Sequence, residues 1–237
     1  MEGIMSYRLL LVLAGVFLFG SPLRAEDVVV ERYRGVARSA SGEVVYREQH
    51  EVTHQGNRPL RAVTTYYDAA GKELGRLESD FKQSSYAPSY RFTDRRTGKT
   101  ESASVSGASV RLRYQGDEKS LSVPKGETLV VGQGLHHFAR INLERLRRET
   151  MTVRFAVPSR LDTYEFRIRP LASPAPGVVR LRIEIDNWLM RQLAPNLEVD
   201  YELATRRLLR YRGVSNLEAK DGATQAVVIQ YSYRSES

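Results

Sequence analysis

Cysteine is absent from the 237 residues, which excludes disulfides, thiolate metal sites and a lipid-modified cysteine behind an export signal. No P-loop occurs, and no carboxylate cluster with recognisable spacing. "GASVR" at 107–111 opens like a nucleophile elbow but has no closing glycine, and it falls in a hairpin instead of between strand and helix. Lysine is scarce: six of the 36 basic side chains are lysines and the others arginines. Long apolar runs are lacking except for one at the start.

That run, "LLLVLAGVFLFG" from Leu9 to Gly20, follows Arg8 and precedes "SPLRA". About a dozen apolar residues are too few for a bilayer span of roughly 20, and Leu23 and Ala25 stand where a signal peptidase reads. The segment therefore predicts a secretory signal peptide cleaved after Ala25, with Met5 an alternative start. The exported chain would be a soluble periplasmic protein of 212 residues, residues 26–237, long enough for one sizeable core. Loss of Glu2, Arg8 and Arg24 leaves 34 basic against 27 acidic residues, a net charge of +7. A basic exported protein meets anionic head groups and cell-wall polymers before it meets nucleic acid, so an anionic envelope surface is an expected partner and nucleic acid is not.

Beyond Glu26 the hydrophobic period is two. "LDTYEFRIR" sets Tyr164, Phe166 and Ile168 against Thr163, Glu165, Arg167 and Arg169, and "VVRLRIEID" and "NLEVDYEL" repeat the pattern. Such alternation predicts antiparallel strands with one buried and one wet face. Glu165, Glu184, Glu198, Asp200 and Glu202 alternate with arginines on the wet faces, which points to cross-strand pairing. "DAAGK", "RRTGK", "SGAS", "QGDEK" and "AKDGA" supply hairpin turns. The expectation is one mainly β domain: a curved antiparallel meander or half-closed barrel of about a dozen strands around one main helix at 135–149. "YRGVARSASGEVVY" from Tyr33 and "YRGVSNLEAKDGATQAVVIQY" from Tyr211 echo one another. Convergent hairpins explain the echo, or else the first and last hairpins pair to close the barrel. "RPLASPAPG" at 169–177 reads as an exposed connection.

"VVGQGLHHFARINLERL", residues 130–146, runs from strand through G-x-G into that helix. A dinucleotide turn would need a third glycine where His137 stands, so Gly132 and Gly134 read as a sharp bend. At about 100° per residue, Phe138, Ala139, Leu143 and Leu146 join Leu135 in a buried stripe. His137 turns toward solvent and His136 lies at the margin. Adjacent histidines cannot face one metal, and no further ligands stand at metal spacing, so no metal or cofactor is expected. His136 and His137 remain the weak candidates for catalysis. Asn142 falls within the apolar stripe, where its amide must bond to sheet backbone or point into a ligand cavity; Arg145 flanks the stripe. His50 and His54 lie four apart on one strand, roughly 13 Å along it, and read as exposed polar residues. Trp188, the single tryptophan, reads as a core or lid anchor.

"GEVVYREQHEVT", "DAAGKELGRLESDF", the helix at 135–149 and the ending "LEVDYELATRRLLRYRGVSNL" resemble uncharacterised exported β-rich proteins of Gram-negative bacteria. The layout is similar to the unclosed barrels of lipoprotein-localisation carriers, in which a curved sheet cups acyl chains under helices. That resemblance implies a non-catalytic binding or envelope-associated protein with an apolar or lipid-like ligand between sheet and helix. Phe138, Asn142, Arg145, Tyr164, Phe166, Trp188 and Tyr201 are the candidate ligand contacts. It carries over no functional residue. Two other classes stay open: an envelope hydrolase using His136 or His137, and an interaction module whose arginine-rich face docks on anionic envelope polymers.

Overall fold

The computed structural model describes residues 27–187, 196–219 and 222–233; Trp188 and the N-terminal apolar run lie outside them. The described residues form fifteen strands in a single sheet. The first eight are β1 (Val28–Arg38), β2 (Val44–Gln55), β3 (Arg58–Tyr67), β4 (Glu73–Asp80), β5 (Ser89–Asp94), β6 (Thr100–Ser106), β7 (Ser109–Tyr114) and β8 (Asp117–Ser122). After β9 (Leu129–Val131) come two short helices, α1 (Gly134–Ile141) and α2 (Leu143–Leu146), and then β10 (Met151–Val157). The sheet is completed by β11 (Asp162–Leu171), β12 (Val178–Ile185), β13 (Leu197–Glu202), β14 (Leu208–Val214) and β15 (Ala226–Tyr233).

Every neighbouring pair is antiparallel except β9 with β10. β1 pairs with β15, Tyr33 opposite Tyr233, so the first and last strands meet in the middle of the sheet and its edges are β8 and β9. The echoing hairpins do pair, but they join the two halves instead of sealing a barrel. Only residues 123–128 connect the two edge strands. Six residues reach about 25 Å at most, so the sheet must curl until its edges approach. An ion pair between Lys119 Nζ and Asp162 Oδ2, 3.3 Å, ties β8 to the start of β11.

The parallel pairing of β9 and β10 explains why this β-protein has helices at all. Parallel neighbours need a crossover connection, and residues 132–150 provide it. Phe138, Ala139, Leu143 and Leu146 are at most 3 % exposed and pack on Val153, Ile168, Leu181 and Val199 of the sheet. The single helix expected at 135–149 is broken at Asn142, where φ is −97° and ψ 12°. Its side-chain amide donates to the Phe138 carbonyl at 2.9 Å, the bond that the backbone N–H of the same residue also makes at 3.1 Å. Such local side-chain competition favours helix ends over interiors. Gly132 adopts φ +48°, and a Cβ on Gly134 would lie 1.8 Å from the Tyr86 carbonyl oxygen. The bend thus needs a left-handed residue first and a missing side chain second.

Candidate functional site

All four histidines of the chain lie on the inner side of the curled sheet or on the helix that packs there. Tyr46, Glu48, His50, Val52 and His54 share the inner face of β2, and all are buried. His50 Nε2 is 2.9 Å from Glu48 Oε2, and His50 Nδ1 is 2.8 Å from Thr64 Oγ1. The Thr64 hydroxyl accepts a 2.8 Å bond from Gln133 Nε2, and Gln133 Oε1 accepts one of 2.8 Å from the Ser79 hydroxyl. The Thr64 hydroxyl keeps its own proton free to donate to Nδ1, and an ionised Glu48, which can only accept, matches an imidazole proton on Nε2. Opposite Glu48, Gly35 leaves the room that a Cβ would take, since that atom would come within 2.8 Å of Glu48 Oε2.

A carboxylate, an imidazole and a hydroxyl in series is the arrangement that activates a nucleophile. Here Thr64 is 1 % exposed and its hydroxyl is bonded on both sides, so the series anchors Gln133, at the start of α1, to β3 and β4. The other two histidines lie one step along the helix. His136 is half-buried with Nδ1 2.9 Å from the Tyr201 hydroxyl. His137 is 4 % exposed, its ring edge-on to Phe81 at 4.7 Å and to His54 at 5.8 Å. Burial first, then Arg140 and His54, pushes the His137 imidazole down to about 3. Burial, followed by His137 and Arg140, lowers His136 in the same direction. Both rings are neutral at physiological pH.

At the same end of the sheet, Glu31 Oε2 stands 3.5 Å from His54 Nε2 and 3.4 Å from Arg140 Nη1. His54, working with Arg140 against burial, holds Glu31 below the usual carboxylate range. Among the described residues no group of three or more His, Asp or Glu side chains is placed to hold a metal ion.

Three sequence expectations need correction. His137 faces inward because the chain enters α1 from a buried strand, a rotation that helical periodicity alone does not fix. His50 and His54 are buried instead of exposed, for they alternate in phase with Tyr46 and Val52. Asn142 sits at the helix end and bonds to its own backbone instead of meeting sheet or cavity. The remaining candidates divide. Phe138, Phe166 and Tyr201 pack in one apolar cluster, with Phe166 edge-on to Phe155 at 5.4 Å. Tyr164 is half-buried opposite Phe155. Arg145 is exposed and paired with Glu149.

The outer face is laced by arginine–carboxylate pairs. Asp200, 5 % exposed, is gripped by Arg180 at 2.7 and 2.9 Å and by Arg210 at 2.9 Å. Glu184 takes Arg167 and Arg169, and Glu198 takes Arg182. Glu165 differs, since the neighbouring carboxyl of Asp186 raises its pKa. On the β1–β4 side of this face the arginines outnumber their partners, and they border an open groove of about 490 Å³.

These features define a mainly β, barrel-like protein: one unclosed sheet curled around a short crossover helix. No family model matches the sequence, and no curated protein matches it. Among solved structures the chain is similar to a "Beta-barrel-like Protein of Domain of Unknown Function DUF1849 from Brucella abortus". The identity is 7 %, the match covers 89 % of this chain and 100 % of that one, and the TM-score is 0.42.

Proposed function

We propose that this is a non-catalytic binding protein of the cell envelope, exported by its N-terminal segment, that engages an anionic envelope surface through its arginine-bearing outer face. One observation carries the reading: the inner face is occupied by interlocked side chains, whereas the outer face of β1–β4 presents four arginines around an open groove. A hydrolase built on His136 or His137 would need an imidazole that a substrate can reach and that titrates near neutrality. His137 is buried with its imidazole held at low basicity, and the half-buried His136 bonds to Tyr201 and is lowered in the same direction, which weighs against that chemistry.

An apolar or lipid-like ligand between helix and sheet is the second reading, supported by the aromatic and aliphatic cluster of Phe138, Phe166 and Tyr201. Cargo there would have to lift the helix, because Leu143 and Leu146 are fully buried against the sheet. Cosedimentation with phosphatidylglycerol vesicles separates the readings. Electrostatic docking predicts binding at low salt that is lost by about 0.5 M NaCl, where the screening length shrinks to a few ångströms. Binding that salt leaves unchanged, or an extractable lipid mass in native mass spectrometry, would favour the apolar site.

A further inference from the structure

Strand register assembles the outer groove from residues far apart in sequence. Ser232 of β15, Arg34 of β1, Gln49 of β2, Thr65 of β3 and Arg76 of β4 lie opposite one another in one cross-strand row. Successive strands are about 4.8 Å apart, so roughly 14 Å separates the backbones at Arg34 and Arg76. The parallel row beside it holds Arg32, Glu51, Val63 and Glu78.

Side-chain length gives this part of the sheet its relief. Short hydroxyl and amide groups form the floor, with Val63 as one apolar spot, and the long arginines rise on either side. Arg32 pairs with Glu51 at 3.0 Å, while Arg61 and Arg76 share Glu78 at 2.9 and 3.4 Å. The Arg34 side chain has no ion pair or hydrogen bond among the described residues. Four guanidinium groups against two carboxylates leave a local excess of two positive charges. The existing pairs are exposed and worth at most about 1 kcal/mol each, so a better anion can replace the carboxylates.

Guanidinium forks match phosphate oxygens two at a time. The floor offers hydroxyl and amide groups of both hydrogen-bonding senses, the complement of a sugar's hydroxyls, and its volume suits a small saccharide rather than a bare ion. We infer that the groove of Arg34, Gln49, Thr65 and Arg76 binds a phosphorylated saccharide, whether free in solution or as the head group of an envelope glycolipid. This inference rests on the reading above that the outer face is the binding face.

The test is calorimetric titration of the purified chain with glucose 1,6-bisphosphate, glucose and inorganic phosphate at low salt. Measurable binding of the bisphosphate, at least tenfold tighter than either control, is expected. The Arg34→Gln/Arg76→Gln double variant should lose it at least tenfold with an unchanged melting curve, and Arg148→Gln, which removes an exposed charge from the helical region, should not. No bisphosphate binding, equal binding of glucose or phosphate, or undiminished binding by the double variant overturns the inference. Phosphatidylcholine vesicles containing lipid A assign the source. Capture by these vesicles that the double variant loses indicates a glycolipid head group, and bisphosphate binding without capture indicates a soluble sugar phosphate. If the unaltered chain binds phosphatidylglycerol vesicles but not the bisphosphate, this inference fails and the outer-face reading stands; if it binds no anionic vesicle or ligand, both fail.

Discussion

The Tyr201 hydroxyl lies 2.9 Å from His136 Nδ1, with the two rings nearly parallel at 18° and 5.7 Å between centroids. This contact joins the crossover helix to β13. Burial raises the phenol pKa and lowers that of the imidazole, so both partners are neutral and the bond is a structural one. Tyr201→Phe should cost about 1–2 kcal/mol, the price of one buried hydrogen bond with a stranded partner. Urea unfolding measures this, and vesicle binding should be unaltered. Unchanged stability would mean that the helix is held by apolar packing alone.

His137 gives the fold a dependence on acid. Its folded pKa, about 3, lies below the ordinary histidine value, so stability is complete above pH 6.5 or so and falls as the unfolded chain takes up the proton that the folded chain refuses. His137→Phe keeps an aromatic ring beside Phe81 and removes that proton. Between pH 7 and pH 5 the unaltered chain should lose about 2 kcal/mol more than the variant. Equal losses in paired urea titrations would show that His137 does not set the slope.

Asp200 should behave in the opposite chemical sense but along the same pH direction. Burial would raise its pKa, yet Arg180 and Arg210 outweigh burial and hold it below the usual range. Its contribution is therefore present above about pH 4 and is lost as pH falls through the folded value. Asp200→Asn leaves two guanidinium groups without their carboxylate and should cost about 3 kcal/mol at pH 7, with a smaller difference at pH 3. A variant as stable as the unaltered chain at pH 7 would show that the pair merely balances its desolvation.

Gly134→Ala should be among the most damaging small substitutions in the chain. The added methyl would lie 1.8 Å from the Tyr86 carbonyl oxygen, and that carbonyl also accepts from Val131 N–H at 3.0 Å. Overpacking against backbone costs about 1–3 kcal/mol, read as a lowered melting temperature. A neutral result would mean that the loop carrying Tyr86 moves freely with α1.

Much of the fold was legible because period-two alternation is a local property. "LDTYEFRIR", "VVRLRIEID" and "NLEVDYEL" are strands β11, β12 and β13, and the expected arginine–carboxylate pairing of Glu184, Glu198 and Asp200 is present in their register. The same alternation, followed through "YREQHEVT", places His50 and His54 with Tyr46 and Val52, whereas side-chain polarity alone points to the surface. What could not be read locally is how strands combine. The parallel β9–β10 pairing, the burial of His137, and the row that joins Arg34 to Arg76 all depend on partners set by the global curl of the sheet. Gln133 was invisible for the same reason, since its partners Thr64 and Ser79 lie 69 and 54 residues away.

Vesicle cosedimentation across a salt series is the most direct test of the claim that the outer face is the working one. With phosphatidylglycerol vesicles the account predicts binding at low ionic strength that falls steeply as NaCl rises, with none to neutral phosphatidylcholine. Equal binding to both vesicle types, insensitive to salt, would contradict it.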